Sequence, residues 1–530
     1  MSAVFIPSFE FVLIVPVLVI TCIFFLCEAF LSPLRHIPGP LLARFTRLWL
    51  FREVYNSTFS STNIELHKKY GHIVRIAHNE YSIDDSDAAR TIYGSGKGFI
   101  KVVQTLRYAS LRFITHSSSS YDSLPSSYIV VEIILKQVEF YSLRGTRGAK
   151  IFARRKVAAA YSVTSLVQSE AHIDECTSLF CERLLEFAKE GTLFDMSHWL
   201  QCYAFDVIGM ITFGDRFGFL DAGVNIGGII VALDTQFQFA ARVGIFPEWY
   251  LAIVWAQARK GTIHGSAHLL KFAQERLEAR FARPSIEDTK FNADAPADFM
   301  TKFLRIRAAD PNKISKEEIS IACLTNIGAG SDTTSISLSS VFFYLYKYPR
   351  TLSHLRQEID GMAKQGLISD PVTYQQAQRL PYLQAVIKEA LRLHPATGLI
   401  IGRVGPKGGA EVAGEVFPEG TIIGINSWVA HRNQDIFGAD VEEFRPERWL
   451  EDAEVVKRRE AYFLAFGQGS RTCIAKNISL MEMSKVVPQL VRHFDFVPDG
   501  ERPSWRFENV WFVKQKDFKL RVKRRNALVG

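Results

Sequence analysis

The chain has 530 residues, 48% of them hydrophobic and 22% charged, and a net charge of +8. This is the balance of a large globular protein. The positive excess is small for the length, and no Lys/Arg cluster is interleaved with aromatics, so nucleic acid is excluded as an expected partner. The seven cysteines include no Cys-x-x-Cys pair and are odd in number, which argues against a disulfide framework and for a reducing compartment. Forty phenylalanines fit either large apolar cavities or plain core packing.

Residues 11–27, FVLIVPVLVITCIFFLC, carry no charge, and up to residue 34 only Glu28 interrupts the apolar run. With its flanks this is long enough for a bilayer, which needs roughly 20 helical residues. No basic residue precedes it, whereas Arg35, Arg44, Arg47 and Arg52 follow. The positive-inside rule then puts residues 1–10 in a lumen and the body of the chain in the cytoplasm. A signal peptide would open with a basic region, so residues 11–34 are predicted to be an uncleaved transmembrane anchor. Ile37-Pro-Gly-Pro40 follows directly, and two prolines around a glycine make residues 35–40 a stiff hinge.

Beyond the hinge, residues 41–530 read as one catalytic domain, mainly α with a smaller β part (α+β). Residues 70–100 read as short strands and turns, with partial alternation over HIVRIAHNEYSIDD at 72–85. From about Leu184 onward helices dominate, for example Phe194–Thr212 and Gly265–Phe281. Residues 283–296 predict a surface loop. No internal repeat and no Gly-x-Gly-x-x-Gly occurs, so no nucleotide-binding reductase is fused to the chain on that evidence. Residues 102–149 are atypical. They hold a serine run at 117–120 and an apolar patch at 128–135, with no amphipathic helix to place.

Three stretches carry chemistry. Ser315-Lys-Glu-Glu318 is a capping box that opens a helix from Lys316 to about Tyr346. Its middle, Gly328-Ala-Gly-Ser-Asp332-Thr333-Thr334, is poor in helix propensity, a local conflict that marks functional sites. Small residues let a flat ligand approach the backbone, and Asp332 and Thr333 supply a proton route. Close helix packing would explain the glycines but not the Asp-Thr pair. Next, Pro381–Pro395 reads as a helix in which Glu389 and Arg392 share a face. Arg448, in Phe444-Arg-Pro-Glu-Arg448-Trp449, is placed to join them in a buried charge network.

The third stretch is Phe466-Gly-Gln-Gly-Ser-Arg-Thr-Cys473-Ile-Ala-Lys-Asn477. Gly467 and Gly469 permit an unusual backbone path. Cys473 then sits at or just before a helix N-terminus, where unpaired N–H groups favour a thiolate. One cysteine cannot build a four-ligand zinc site, but it suits a single axial ligand of haem iron. His394 and His431 read as hydrogen-bonded structural histidines rather than ligands.

These stretches resemble the cytochrome P450 family. Phe466–Cys473 matches its haem-binding loop, Ala329–Thr334 its oxygen-side helix, Glu389/Arg392 with Arg448 its charge network, and residues 37–40 its hinge. The run Pro418–Asn426 and the segment Arg471–Met483 look most similar to fungal microsomal members of the pisatin demethylase type. The resemblance implies haem b (iron protoporphyrin IX) bound by Cys473, with Phe466 and Gly467 in the cofactor loop. It makes Arg403, Arg471 and Arg154 partners of the haem propionates. It implies insertion of one oxygen atom of O2 into a lipophilic small molecule, by hydroxylation or O-demethylation, with Thr333 and Asp332 as catalytic residues. Electrons would come from NADPH-cytochrome P450 reductase, with cytochrome b5 as a further donor, at the endoplasmic reticulum membrane. Lys476 and Lys485 are read either as contacts for an acidic partner or as a solvated helix face. Substrate contacts are expected in 213–249, 323–333, 397–403 and 508–512.

Two departures stand out. Ala475 replaces a customary glycine, and Lys150 stands where Trp or His usually precedes the Arg at position 154. The atypical 102–149, expected to be divergent or a translated intron rather than a working lid, keeps open a membrane-bound haem-binding pseudo-enzyme. The other rivals are an O2-independent enzyme of the same fold and an anchored interaction protein without haem.

Overall fold

A computed structural model describes residues 30–102, 156–259, 264–282, 297–501 and 504–525. The expected anchor at 11–34 and the atypical segment at 102–149 fall almost wholly outside these residues. Lys150, Arg154 and the loop at 283–296 fall outside them too. Among the described residues no helix is long and apolar enough to cross a membrane.

Helices make up most of the described chain, and eight matter here: α1 (Ser86–Tyr93), α2 (Glu170–Glu190), α3 (Met196–Phe213), α4 (Ile229–Val243), α5 (His264–Phe281), α6 (Lys316–Lys347), α7 (Pro381–Leu393) and α8 (Lys476–His493). Asp195 starts α3 by accepting from the N–H groups of Ser197 (2.9 Å) and His198 (3.3 Å), and left-handed Gly214 ends it. Between these caps every residue from Cys202 to Phe213 is buried. A helix that is apolar all round belongs in a core, and α3 lies between α2 and α6.

The capping box forms as the sequence predicts: Ser315 Oγ accepts from the Glu318 N–H, and Glu318 accepts from the Ser315 N–H at 2.8 Å. The 32 residues of α6 span about 48 Å. A Cβ on Gly330 would lie 3.0 Å from Ile208 of α3, so this glycine does serve close helix packing.

The β part is small. Its main sheet has the order β1-β2-β8-β5-β3, built from Ile73–Ala77, Glu80–Ile83, Ile422–Gly424, Arg403–Val404 and Ile100–Lys101. Within 70–100 the expected strands form at 73–77 and 80–83, antiparallel with Ile73 opposite Ile83, whereas Ser86–Tyr93, expected as strand or turn, is helix α1, started by Asp85 accepting from the Ala88 N–H. Arg403 and Val404 form the short strand β5. It pairs with β3 so that Lys101 faces Arg403 across the ladder. Further pairs are β6–β7 (Ala410–Val412, Glu415–Phe417) and β10–β11 (Arg506–Asn509, Val513–Lys516). A three-stranded sheet joins β4 (Phe194–Asp195), β12 (Lys519–Arg524) and β9 (Phe494–Pro498).

The hinge is docked on the main sheet. Arg75 of β1 is buried, and its guanidinium donates to the carbonyls of Leu34 and His78, both at 2.7 Å. Its own N–H donates to the Pro38 carbonyl at 2.8 Å. Leu34 and Ile37 are buried in the cluster that includes Tyr81 and Phe417.

Candidate active site

The cysteine loop closes on itself. The Cys473 N–H donates to the Phe466 carbonyl at 2.8 Å, and the Gly467 N–H to the Leu464 carbonyl at 2.9 Å. Gly467 and Gly469 take φ of 68° and 69°, the left-handed region that the two glycines predicted. At Gly469 the need is absolute, because a Cβ would stand 1.9 Å from the Tyr93 carbonyl at the end of α1. Cys473 lies two residues before Ala475, the N-cap of α8, and its side chain is exposed on a cavity wall. The other described cysteines are inert by contrast: burial pushes the thiols of Cys181 and Cys202 up to about 12.

Behind the loop sits the expected charge network. Arg392 grips Glu389 with both Nε and Nη2 at 2.9 Å, and Arg448 Nε donates to Glu389 Oε1 at 3.1 Å. All three side chains are fully buried. Burial alone would raise the Glu389 pKa, but Arg392 and then Arg448 outweigh it and hold the carboxyl below its usual value. Two arginines against one carboxylate are sustained by further acceptors. Arg392 reaches the carbonyls of His431, Val441 and Glu443, and Arg448 reaches Asp440 Oδ1 at 2.9 Å. Trp449 Nε1 adds a donor to Glu389 at 2.9 Å.

His431 joins this network to the loop. Its Nε2 accepts from the Leu464 N–H at 2.8 Å, so Nδ1 carries the proton and donates to the Arg392 carbonyl at 3.0 Å. Burial pushes its pKa down to about 3, which keeps the ring neutral. His394 is likewise buried on the Val513 carbonyl at 2.9 Å. Neither lines the cavity, in keeping with structural histidines.

The cavity itself measures about 380 Å³. It brings together Cys473, Phe466, Gly467, Arg471, Arg403 and Thr333 from segments far apart in sequence. Lys101 joins the arginines, and no Asp or Glu is among the lining residues described. Burial draws Arg403 below the usual arginine value, with Arg471 nearby adding to the effect. The remaining wall is largely aliphatic, from Ile208, Leu399, Ile401, Ile425 and Ile478 among others. One exposed thiol, cations and an apolar remainder fit a flat iron porphyrin with anionic side groups.

Asp332 is not on this wall, and two expectations below need correction. It is fully buried on the far side of α6, where Gln201 Nε2 donates to it at 2.6 Å and Lys514 Nζ pairs with it at 2.8 Å. Thr333 does line the cavity, and its hydroxyl donates back to the Ala329 carbonyl at 2.7 Å, as a mid-helix threonine can. Of the expected substrate segments, 323–333 and 397–403 contribute lining residues, whereas 213–249 and 508–512 contribute none to this cavity. Lys485 cannot meet a partner, because it is buried and held by Glu170, by Asp174 at 2.9 Å and by the Val372 carbonyl. Lys476 is exposed. Arg154 lies outside the described residues.

The sequence reading missed Lys101, Tyr93 and Tyr161, all on the wall, and Tyr161 pairs there with Asn326 of the expected segment 323–333. Tyr161 Oη donates to Asn326 Oδ1 at 2.7 Å, and Asn326 passes the chain to Thr212. A lone lysine or tyrosine carries no local signal. Only the β3–β5 register puts Lys101 beside Arg403.

A helix-rich α+β fold around such a cavity defines the class as a cofactor-binding oxidoreductase. Comparison with known proteins makes the class specific. Residues 146–522 match the family model Cytochrome P450. A pisatin demethylase of Fusarium vanettenii is 36% identical over 526 residues, covering 98% of this chain and 94% of that protein. A second pisatin demethylase of the same organism is 36% identical over 522 residues, covering 97% and 95%. A cytochrome P450 monooxygenase of Aspergillus terreus is 34% identical over 474 residues, covering 87% of this chain and 90% of its own length. The chain belongs to the cytochrome P450 family. It is a cytochrome P450 monooxygenase whose cofactor is haem b, with O2, a redox partner and a small-molecule substrate as its reaction partners. The comparisons give no support to a disabled haem binder.

Proposed function

We propose that this chain hydroxylates or O-demethylates a lipophilic small organic molecule in fungal secondary metabolism or detoxification. The observation that carries this is the cavity in which the exposed Cys473 thiol, the cations Lys101, Arg403 and Arg471, and Thr333 meet. Similarity to two pisatin demethylases over nearly the whole chain supports the O-demethylation form.

In this reading Cys473 would hold the haem iron through its thiolate, and the loop from Phe466 to Cys473 would keep that sulfur in place. Arg403 and Arg471 would bind the propionates, joined by Lys101, with Arg154 as a further cation. Glu389, Arg392, Arg448 and His431 fix the loop from behind. Haem, when bound, supplies the activation of O2, with the thiolate favouring O–O cleavage. Thr333 presents a hydroxyl to the reacting side, and Asp332 supplies protons from behind it. The aliphatic wall excludes water and selects an apolar substrate.

Electrons come from NADPH-cytochrome P450 reductase, with cytochrome b5 as a second donor, and Lys476 is available on the exposed start of α8 for that contact. Residues 11–34 anchor the chain in the endoplasmic reticulum membrane with the catalytic domain in the cytoplasm. The first test is the carbon monoxide difference spectrum of the reduced protein in membranes. A strongly red-shifted Soret band is expected, and a band at the position of a neutral axial ligand would overturn the role of Cys473. Formaldehyde release from methoxylated aromatic substrates, pisatin among them, in the presence of reductase and NADPH then tests O-demethylation.

A further inference from the structure

Asp332 is buried in the middle of α6, yet its charge partner is a lysine near the other end of the chain. Lys514 sits on β11, its side chain only 17% exposed, and pairs with Asp332 at 2.8 Å. The same ammonium also pairs with Asp234 of α4. Burial alone would lower the Lys514 pKa, but the two carboxylates outweigh it and hold the lysine charged above its usual value. Gln201 of α3 fixes the other carboxylate oxygen of Asp332 at 2.6 Å.

A second contact runs parallel to this one. Phe237 of α4 meets Phe512, two residues before Lys514, edge to face at 4.8 Å. Asp234 and Phe237 are three residues apart and share a face of α4. Helix α4 is thus clasped to β11 at two points, one ionic and one aromatic. It also lies on α6, where a Cβ on Gly328 would stand 4.0 Å from Leu233. Gly328 directly precedes Ala329 of the cavity wall. The Asp234 side chain is 27% exposed, whereas Asp332 has no exposure. The chain Asp234–Lys514–Asp332 therefore runs from partly exposed surface to the buried acid behind the cavity.

We propose that Lys514 is a positioning residue that couples the seating of α4 to the placement of Asp332. With α4 seated, Lys514 is shared between two carboxylates, and its pull on Asp332 is set by that sharing. When α4 shifts, Asp234 leaves and Lys514 passes wholly to Asp332. The position of α4 thereby controls the acid next to Thr333. This rests on the proton-supplying role of Asp332 given above.

The test is a double-mutant cycle on the haem-loaded chain. Asp234→Asn, Lys514→Met and the double variant are compared by two readouts. One is amide hydrogen exchange over residues 229–243. The other is the solvent isotope effect on reductase-driven NADPH oxidation, measured in H2O and D2O without added substrate. Asp234 does not touch Asp332, so any effect of Asp234→Asn on the isotope ratio must travel through Lys514. The expected result is that Asp234→Asn loosens residues 229–243 and shifts the isotope ratio, with neither effect repeated in the Lys514→Met background. An isotope ratio unchanged by Asp234→Asn, or shifted equally in both backgrounds, overturns the proposal. If Lys514→Met fails to fold, Lys514→Gln replaces it in the cycle with the same expected result. A wild-type protein without a thiolate carbon monoxide spectrum would overturn the role of Cys473 instead. The exchange arm still judges the clasp in that case, since protection unchanged by Asp234→Asn sinks it.

Discussion

On the cysteine side of the cavity, Glu389 and Arg392 are three residues apart on one helix, and Arg448 and Trp449 follow about sixty positions later. On the Asp332 side the partners are dispersed. Gln201 stands 131 residues before Asp332, and Lys514 stands 280 residues after Asp234. The first group is fully buried and bidentate, with its surplus donors on backbone carbonyls. The second shares one ammonium between two carboxylates, one of them partly exposed. A buried pair with every donor satisfied has one low-energy arrangement. A shared cation has two, and a helix decides between them. The difference is that between a support and a switch.

The sharpest way to break this contrast is at the support. Cys473→Ser should abolish the thiolate carbon monoxide spectrum and all monooxygenation while the charge network behind the loop stays intact. Retention of the red-shifted band would show that another residue ligates the iron. Next in size is Glu389→Ala. It leaves two buried arginines without their carboxylate, and breaking such a pair costs about 3–5 kcal/mol. Haem content and thermal midpoint should both collapse. A midpoint within a degree of wild type would mean that the network is not a support.

How much of this was legible follows the same division. The capping box, the glycine conformations and the Glu389–Arg392 pair were read from local spacing, and Arg448 was added through the family resemblance; their geometry agrees. Local spacing works there because a helix or a tight turn fixes which side chains meet. The position of Asp332 behind the wall was not legible in the sequence. A helix turns about 100° per residue, so adjacent Asp332 and Thr333 cannot both face the cavity, and only the fold decides which one does. Lys485 was misread. It sits near the cysteine loop in sequence, but α2 supplies Glu170 and Asp174 to bury it. Lys514 carried no signal at all, since its partners come from two helices far upstream.

A smaller effect sharpens the support. His431→Phe keeps an aromatic ring against Phe463, on which the imidazole stacks at 5.1 Å, but strands the Leu464 N–H. An unsatisfied buried donor costs about 1–3 kcal/mol. Denaturant titration should show that loss, together with slower haem retention, and no loss would detach His431 from the loop. The same residue sets a pH dependence. His431 is held down to about 3 and His394 to about 4, against an ordinary value of 6.5. The unfolded chain therefore binds protons between these values that the folded chain does not. Stability is full above pH 6.5 and falls as pH drops toward 4, with each histidine adding about 1.4 kcal/mol per pH unit to the slope. Denaturation at pH 7 and pH 5.5 should reveal the fall, and His431→Phe should remove only its own share of the slope, leaving that of His394. The smallest expected effect is at Lys476, exposed at the start of α8. If it is only a solvated residue, charge reversal leaves reductase-driven turnover unchanged, whereas a rise in the reductase concentration needed for half-maximal rate would assign it to the partner contact.

Arg75 has a mechanical consequence. The chain enters the domain at residues 34–40, and Arg75 bolts that entry to β1 through the carbonyls of Leu34 and Pro38. Strand β1 is one edge of a single hydrogen-bonded plate, and the other edge is β5 with β3, which carries Arg403 and Lys101 into the cavity. A plate of paired strands moves as one body. A tug on the leading segment of the chain is therefore delivered, like the push on a lever, to the cationic rim at the opposite end.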